Sequence, residues 1–189
     1  MMDMNINNQE PEKGKLLVSE PFLADYNFKR SVILLATHEP TGSVGFILNK
    51  PLNLKLKDVI EVEDYVDVPL YLGGPVQNDT LHYIHSDKSL PDSQQIGENL
   101  YWGGDFDKVL AMLNSNTLDK SKYRFFLGYS GWSAGQLDME IDIHTWIVTS
   151  PSNDIIFQED DEKLWKNVLR NMGGTYKVMS NSPESPQLN

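Results

Sequence analysis

Short apolar runs separated by turn-forming residues recur along the chain, interrupted by a few segments with helical spacing. Gly14–Ser19 and Arg30–Thr37, rich in aliphatic and β-branched residues, predict the first two strands. A turn containing Pro40, Thr41 and Gly42 leads into Ser43–Asn49, which predicts a hairpin. Pro51 is expected to end that strand, because proline lacks the N–H that a ladder uses, and Leu54–Val62 has the spacing of a short helix. Val68–Leu72 and Thr80–His85 predict strands flanking a Gly73-Gly74-Pro75 turn, and Tyr123–Tyr129 a further buried strand. Asp105–Asn114 predicts a helix capped by Asp105, with Phe106, Val109, Leu110 and Leu113 on one face. Ser133–Ile141 is expected to begin a helix capped by Ser133, despite Gly135 in its first turn. Thr145–Thr149 and Asp154–Gln158 read as a closing pair of strands. Asp160–Met172 has the clearest helical stripe, Leu164, Trp165, Val168 and Leu169, with Gly173 and Gly174 as its stop.

Hairpins beside strands joined through helices predict a single α+β domain, with a doubly wound sheet as the alternative. The length of 189 residues and 40% hydrophobic content support one substantial core. Residues 1–13 and 180–189 are polar, lack an apolar anchor and are expected to be disordered, which leaves a domain over 14–179. Apolar stretches such as Ser31–Ala36 fall far short of the roughly 20 residues needed to cross a bilayer, and the acidic start is unlike a signal peptide.

Charge narrows the partners. Sixteen basic against 27 acidic residues give a net charge of −11, a long-range field that repels nucleic acid and anionic lipid. The one short basic cluster, Lys120, Lys122 and Arg124, reads as a solvated strand edge. The absence of cysteine removes disulfides, thiolate nucleophiles and sulfur-based zinc sites, and fits a reducing, cytoplasmic location.

The densest unusual stretch is Gly128–Leu137, where three glycines surround Trp132 at an expected strand-to-helix junction. It reads as a tight turn with Trp132 folded into the core, or else as exposed amide donors. Ser130 lacks the nucleophile-elbow pattern, since Gly128 stands two residues before it but Trp132 two residues after. His82 and His85, three apart on an expected strand, point to opposite faces and cannot chelate together. His38 beside Glu39 reads as a hydrogen-bonded structural residue. The acidic cluster Asp58, Glu61, Glu63, Asp64 and Asp67 lacks the donor spacing of a calcium loop, and no phosphate-loop pattern follows Gly73-Gly74 or Gly103-Gly104. No cofactor and no metal site is predicted. Asn49-Lys50-Pro51, at the end of a buried strand, could line a pocket.

Four passages together, GKLLVSEPFLADYNFKRSV from Gly14, HEPTGSVGFILNKP from His38, LGGPV from Leu72 and GYSGWSAGQLDMEI from Gly128, resemble the YqgE/AlgH family. That resemblance implies an α+β fold with a bifurcated sheet, part of it curled into a small barrel, surrounded by helices. It places emphasis on residues including Asp25, Phe28, His38, Asn49, Trp132, Gln136 and Trp146, many of the others being glycine or proline. Relatives often carry cysteine where this chain has Ala36 and glutamate where it has Asp138. The family carries a transcriptional-regulator label. With three arginines and no basic recognition helix, direct DNA binding is not expected here.

The leading functional expectation is a non-enzymatic binding or regulatory protein that holds an unidentified protein or small molecule. Its candidate surface comprises Asp25, Phe28, His38, Asn49, Lys50, Ser130, Trp132 and Gln136. The alternative is a hydrolase or transferase in which His38, Asn49, Ser130 and Gln136 converge in a cleft lined by the glycine-rich loops.

Overall fold

The computed structural model describes residues 9–157 and 161–183. The chain ends expected to be disordered lie outside the described residues at 1–8 and 184–189. Within the described part, Ser180 is buried and the Arg30 guanidinium donates to the carbonyls of Ser182 and Pro183, both at 2.6 Å.

The strands are β1 (Leu16–Ser19), β2 (Val32–Glu39), β3 (Gly42–Ile47), β4 (Pro51–Lys55), β5 (Pro69–Leu72), β6 (Val76–His85), β7 (Gln94–Gly97), β8 (Leu100–Trp102), β9 (Tyr123–Ser133) and β10 (Trp146–Thr149). The helices are α1 (Phe106–Asn114), α2 (Gln136–Asp142), α3 (Asn153–Ile156), α4 (Asp161–Met172) and α5 (Gly174–Met179). The result is a single α+β domain on one large sheet of order β10-β1-β2-β3-β9-β6-β8-β7, with β5 also on β9 and β4 on β5. All pairings are antiparallel except β5 with β9. The sheet is bifurcated, as the resemblance implied, but it does not close into a barrel.

The branch point is β9. Its first half pairs with β5 through Phe125–Leu127 and with β6 through Tyr123–Leu127, whereas Ser130–Ser133 pairs with β3. The Gly73-Gly74 link between β5 and β6 crosses β9 at the split, where a Cβ on Gly73 would collide with the Gly128 carbonyl oxygen and one on Gly74 with the Tyr129–Ser130 peptide. Gly128 itself has φ of 67°, in the left-handed region. Ile47 N and the Ser130 hydroxyl both donate to the Gly73 carbonyl at 3.0 Å, so the crossing is tied to both branches.

Both faces of β1 and β2 are buried, which explains their unbroken apolar runs. Leu16, Val18, Leu34 and Phe46 pack with Trp165, Val168 and Leu169 of α4, and the Trp165 indole donates to the Ser19 carbonyl at 2.9 Å. On the opposite face, Leu17, Ile33, Leu35 and Ile47 pack with Trp132, Trp146 and Leu137 of α2. A third cluster joins α1 to Leu70, Tyr83 and Phe125. Asp105 caps α1 as expected, accepting from Lys108 N at 3.1 Å.

Several expectations are corrected. Pro51 begins β4 rather than ending a strand; β4 pairs only with β5, and proline fits an edge that needs no donor. Leu54–Val62 forms only a single 3-10 turn at Leu56–Asp58, because the preceding residues are held in β4. The Asp154–Gln158 strand is instead α3 over Asn153–Ile156, which turns Ile155 and Ile156 into the core. The helix expected from Ser133 starts at Gln136, since Gly135 adopts φ of 71° and Ser133 belongs to β9. The β7–β8 hairpin and α5 had no clear apolar pattern to announce them.

Arg124 does not lie on a solvated edge. Its strand has neighbours on both sides, and its guanidinium is buried 2.9 Å from the Asp161 carboxylate, 3.0 Å from the Ile156 carbonyl and 4.1 Å above the Tyr71 ring. His82 and His85 do face opposite ways. His82 packs among Phe46, Trp102 and Tyr129, while His85 is sandwiched between Tyr101 and Tyr123. The backbone N–H of Asp87 donates to His85 Nδ1 at 3.2 Å, which leaves the proton on Nε2 to meet the Gly103 carbonyl at 2.9 Å.

Gly73→Ala is expected to destabilise by on the order of 3 kcal/mol, because the added methyl meets backbone rather than a movable side chain. Urea unfolding would measure it, and an unchanged midpoint would contradict the close crossing. Burial lowers the affinity of His85 and His82 for a proton, opposed at His85 by the Gly103 carbonyl and Asp87. The unfolded chain therefore takes up protons near the ordinary imidazole value of about 6.5 that the folded chain refuses, so stability is full above that pH and falls below it. The urea midpoint should drop between pH 7.5 and about pH 5.5, and His85→Gln should flatten that drop.

Candidate functional site

The loop joining β1 to β2, residues 20–31, and helix α2 lie over the same face of the sheet. Leu23 and Phe28 from the loop and Leu137 and Ile141 from the helix pack against the cluster that contains Trp132 and Trp146. Asp25 shapes the loop: its side chain accepts from Asn27 N at 2.8 Å, and its carbonyl accepts from the backbone N–H groups of Phe28 and Lys29. Phe28 thereby stacks on Trp132 at 6.3 Å and meets Trp146 edge-on at 5.6 Å, while the two indoles contact each other at 6.0 Å.

One carboxylate organises this aromatic base. Oε2 of the half-buried Glu140 accepts from Trp132 Nε1 at 2.8 Å and from Trp146 Nε1 at 2.7 Å, and Oε1 accepts from Gln136 Nε2 at 2.9 Å. Gln136 also accepts from Ser133 N at 3.0 Å, fastening the first turn of α2 to the end of β9. Three donors thus converge on one anion, and charge-assisted bonds of this kind hold both indole planes in fixed orientations.

Phe28, Trp132 and Gln136, among the residues selected from the sequence, share this network. Asp25 and Lys50 stand beside it: the Lys50 ammonium donates to the carbonyls of Tyr26 and Asn27 at 3.1 and 2.5 Å. Burial lowers the Lys50 proton affinity, and nearby Asp25 opposes that shift. His38 lies at the other side of α2, with Nδ1 2.8 Å from the Ser43 hydroxyl and Nε2 3.7 Å from Asp138. Asn49 serves the framework, its Oδ1 accepting from Val32 N and its Nδ2 donating to the Arg30 carbonyl, each at 2.9 Å. Ser130 is buried with its hydroxyl given to Gly73, and among the described residues no histidine is hydrogen-bonded to it. Among the described residues no hydrogen bond joins His38, Asn49, Ser130 and Gln136 to one another. Trp146 is among the residues the resemblance emphasises but not on the expected surface, and Glu140 is in neither set. The spacing of Gln136 and Glu140, one helical turn apart, is the sequence signal that would have found the carboxylate.

Among the described residues no group of three or more histidine, aspartate or glutamate side chains is placed to hold a metal ion, and no helix is long and apolar enough to cross a membrane. Comparison with known proteins bears on the whole arrangement, since an AlgH-like family model matches residues 16–177. The chain belongs to the AlgH-like family. A relative from Cytophaga hutchinsonii, named only as a UPF0301 protein, is 45% identical over 179 residues, covering 94% of this chain and 98% of its own. Another from Bacteroides fragilis is 45% identical over 184 residues, covering 97% and 94%. The solution structure of the AlgH protein from Pseudomonas aeruginosa matches with a TM-score of 0.73 and 26% identity over 93% of this chain and 97% of that one. A crystal structure from Corynebacterium diphtheriae shares the fold, with a TM-score of 0.75 and 22% identity over 93% of this chain and 94% of that one.

Glu140→Ala leaves two indole donors without their acceptor and is expected to cost about 2 kcal/mol. Glu140→Gln, which retains an acceptor oxygen, should cost less. Urea unfolding followed by tryptophan fluorescence would rank the two, and equal losses would show that the carboxylate does not organise the indoles.

Proposed function

We propose that this AlgH-like protein is a non-enzymatic binding protein whose contact surface is the face built by the 20–31 loop and α2. The observation that carries the reading is a group of large apolar side chains left exposed above the rigid aromatic base. Met139 and Ile143, one turn apart at the end of α2, are 63% and 74% exposed, and Tyr26 from the loop is 87% exposed. Phe22 adds a further exposed ring. Isolated apolar side chains on a surface need no explanation, but several on one loop and one helix that both pack over the same two buried tryptophans match the anatomy of a docking patch.

The rim chemistry favours a basic partner. Asp25, Asp138 and Asp142 are exposed around these residues, Lys50 is occupied by loop carbonyls, and the whole chain is strongly acidic. An amphipathic protein segment bearing lysine or arginine beside its apolar side chains fits such a surface, and nucleic acid does not. A regulatory effect would then run through a protein partner.

A synthetic amphipathic helical peptide of leucine and lysine is the appropriate probe, titrated calorimetrically at low and moderate salt. Met139→Asp with Ile143→Asp, both exposed in the free protein, should weaken its binding at least about tenfold while leaving thermal unfolding nearly unchanged. Equal affinity for the variant, or equal binding of a lysine homopolymer, would overturn the proposal by showing that charge alone attracts the peptide.

A further inference from the structure

We propose a second, independent binding site: the cleft between the N-terminal arm, the β7–β8 hairpin tip and the segment after β10, which takes a small organic anion with an apolar or aromatic body. The cleft has a volume of about 530 Å³, within the range of small-molecule sites. It is lined by different residues from the α2 face, so the two sites stand or fall separately.

The walls divide by chemistry. Lys13 and Lys15 stand on one side, and the hydroxyls of Ser86 and Ser150 and the side chain of Asn99 add neutral hydrogen-bonding groups. Leu100, Ile156 and Phe157 supply the apolar part of the lining. Among the described residues Glu98 is the one acidic lining residue. In a protein with a net charge of −11, a cleft whose described lining residues hold two ammonium groups against one carboxylate is a local reversal of sign that favours an anion.

The fold anchors the backbone of the arm and the Lys15 ammonium. The Gly14 amide donates to the Leu35 carbonyl at 2.7 Å and anchors the arm between the two lysines to β2. Lys15 Nζ donates to the Ser150 hydroxyl and to Gln9 Oε1, both at 2.8 Å, which places the charge across the cleft from the arm to the segment after β10. Lys13 is exposed and has no hydrogen bond or ion pair among the described residues. It is therefore the cation left to meet an anionic ligand. Asn99 sits at the hairpin tip with φ of 54°, a turn geometry that asparagine tolerates.

The test uses 8-anilinonaphthalene-1-sulfonate as a probe that joins an anion to an aromatic body, followed by backbone amide shifts of the isotopically labelled protein. The expected result is saturable binding with the largest shifts at Gly97, Asn99 and Leu100. Lys13→Glu should weaken binding about tenfold through charge reversal, and uncharged N-phenylnaphthylamine should bind at least about tenfold more weakly than the sulfonate. Lys13 makes no side-chain hydrogen bond or ion pair among the described residues, so the variant is expected to keep the amide spectrum of the parent away from the cleft. Shifts centred on α2 instead, or equal affinities for the variant or for the uncharged probe, would overturn the proposal.

Discussion

The double pairing of β9 is the constraint on which the rest of the structure depends. One strand gives its first half to β5 and β6 and its last residues to β3, and the chain passes between these branches at Gly73 and Gly74 with no room for a side chain. The Gly73 carbonyl accepts from Ile47 of one branch and from Ser130 of β9 itself. Two of the passages that carry the family resemblance, the glycine pair after Leu72 and the glycine-rich run from Gly128, are the two sides of this single crossing. Their role is steric and backbone-directed, which accounts for glycine where a catalytic motif would require polar side chains.

From the branch point, the same strand distributes its side chains to separate structural tasks. Arg124 reaches inward to Asp161 at the start of α4, Phe126 enters the core beneath α4, and Trp132 is carried to the opposite face to meet Glu140. The buried ion pair joins a helix to the sheet, where loss of either partner would strand a charge in a dry environment. The carboxylate that accepts from both indoles does a related task at the other face, holding two mutually edge-on tryptophans in place beneath α2 and the 20–31 loop. The exposed apolar residues of that loop and helix are consequently presented from a packed, hydrogen-bonded base, which would reduce the conformational entropy lost in the proposed docking.

Much of the fold was legible in the sequence. The alternation and β-branched content of the first two strands, the cap and stripe of α1 and the stripe of α4 are local signals that report local structure. The failures share a cause. Arg124 looked solvated because sequence shows the charge but not the strands on both sides of it. The helix expected after Pro51 and the strand expected after Asn153 were decided by what each segment packs against. In the candidate site, Phe28, Trp132 and Gln136 were recognisable as unusual residues in a repeated family pattern, whereas Glu140 was one acid among many until the two indoles were seen to converge on it.

The sequence by itself determined the α+β class, the family, the acidic field and most of the element order, because these follow from composition, local periodicity and motif order. Only the tertiary structure decided that Ser130 and Asn49 serve the backbone, that two tryptophans share one carboxylate, and that two arm lysines line one cleft with Leu100, Ile156 and Phe157. Each of these depends on residues distant in the chain meeting in space. The spacing of residues in a sequence carries no direct record of such meetings when they are made by strand pairing across a branched sheet.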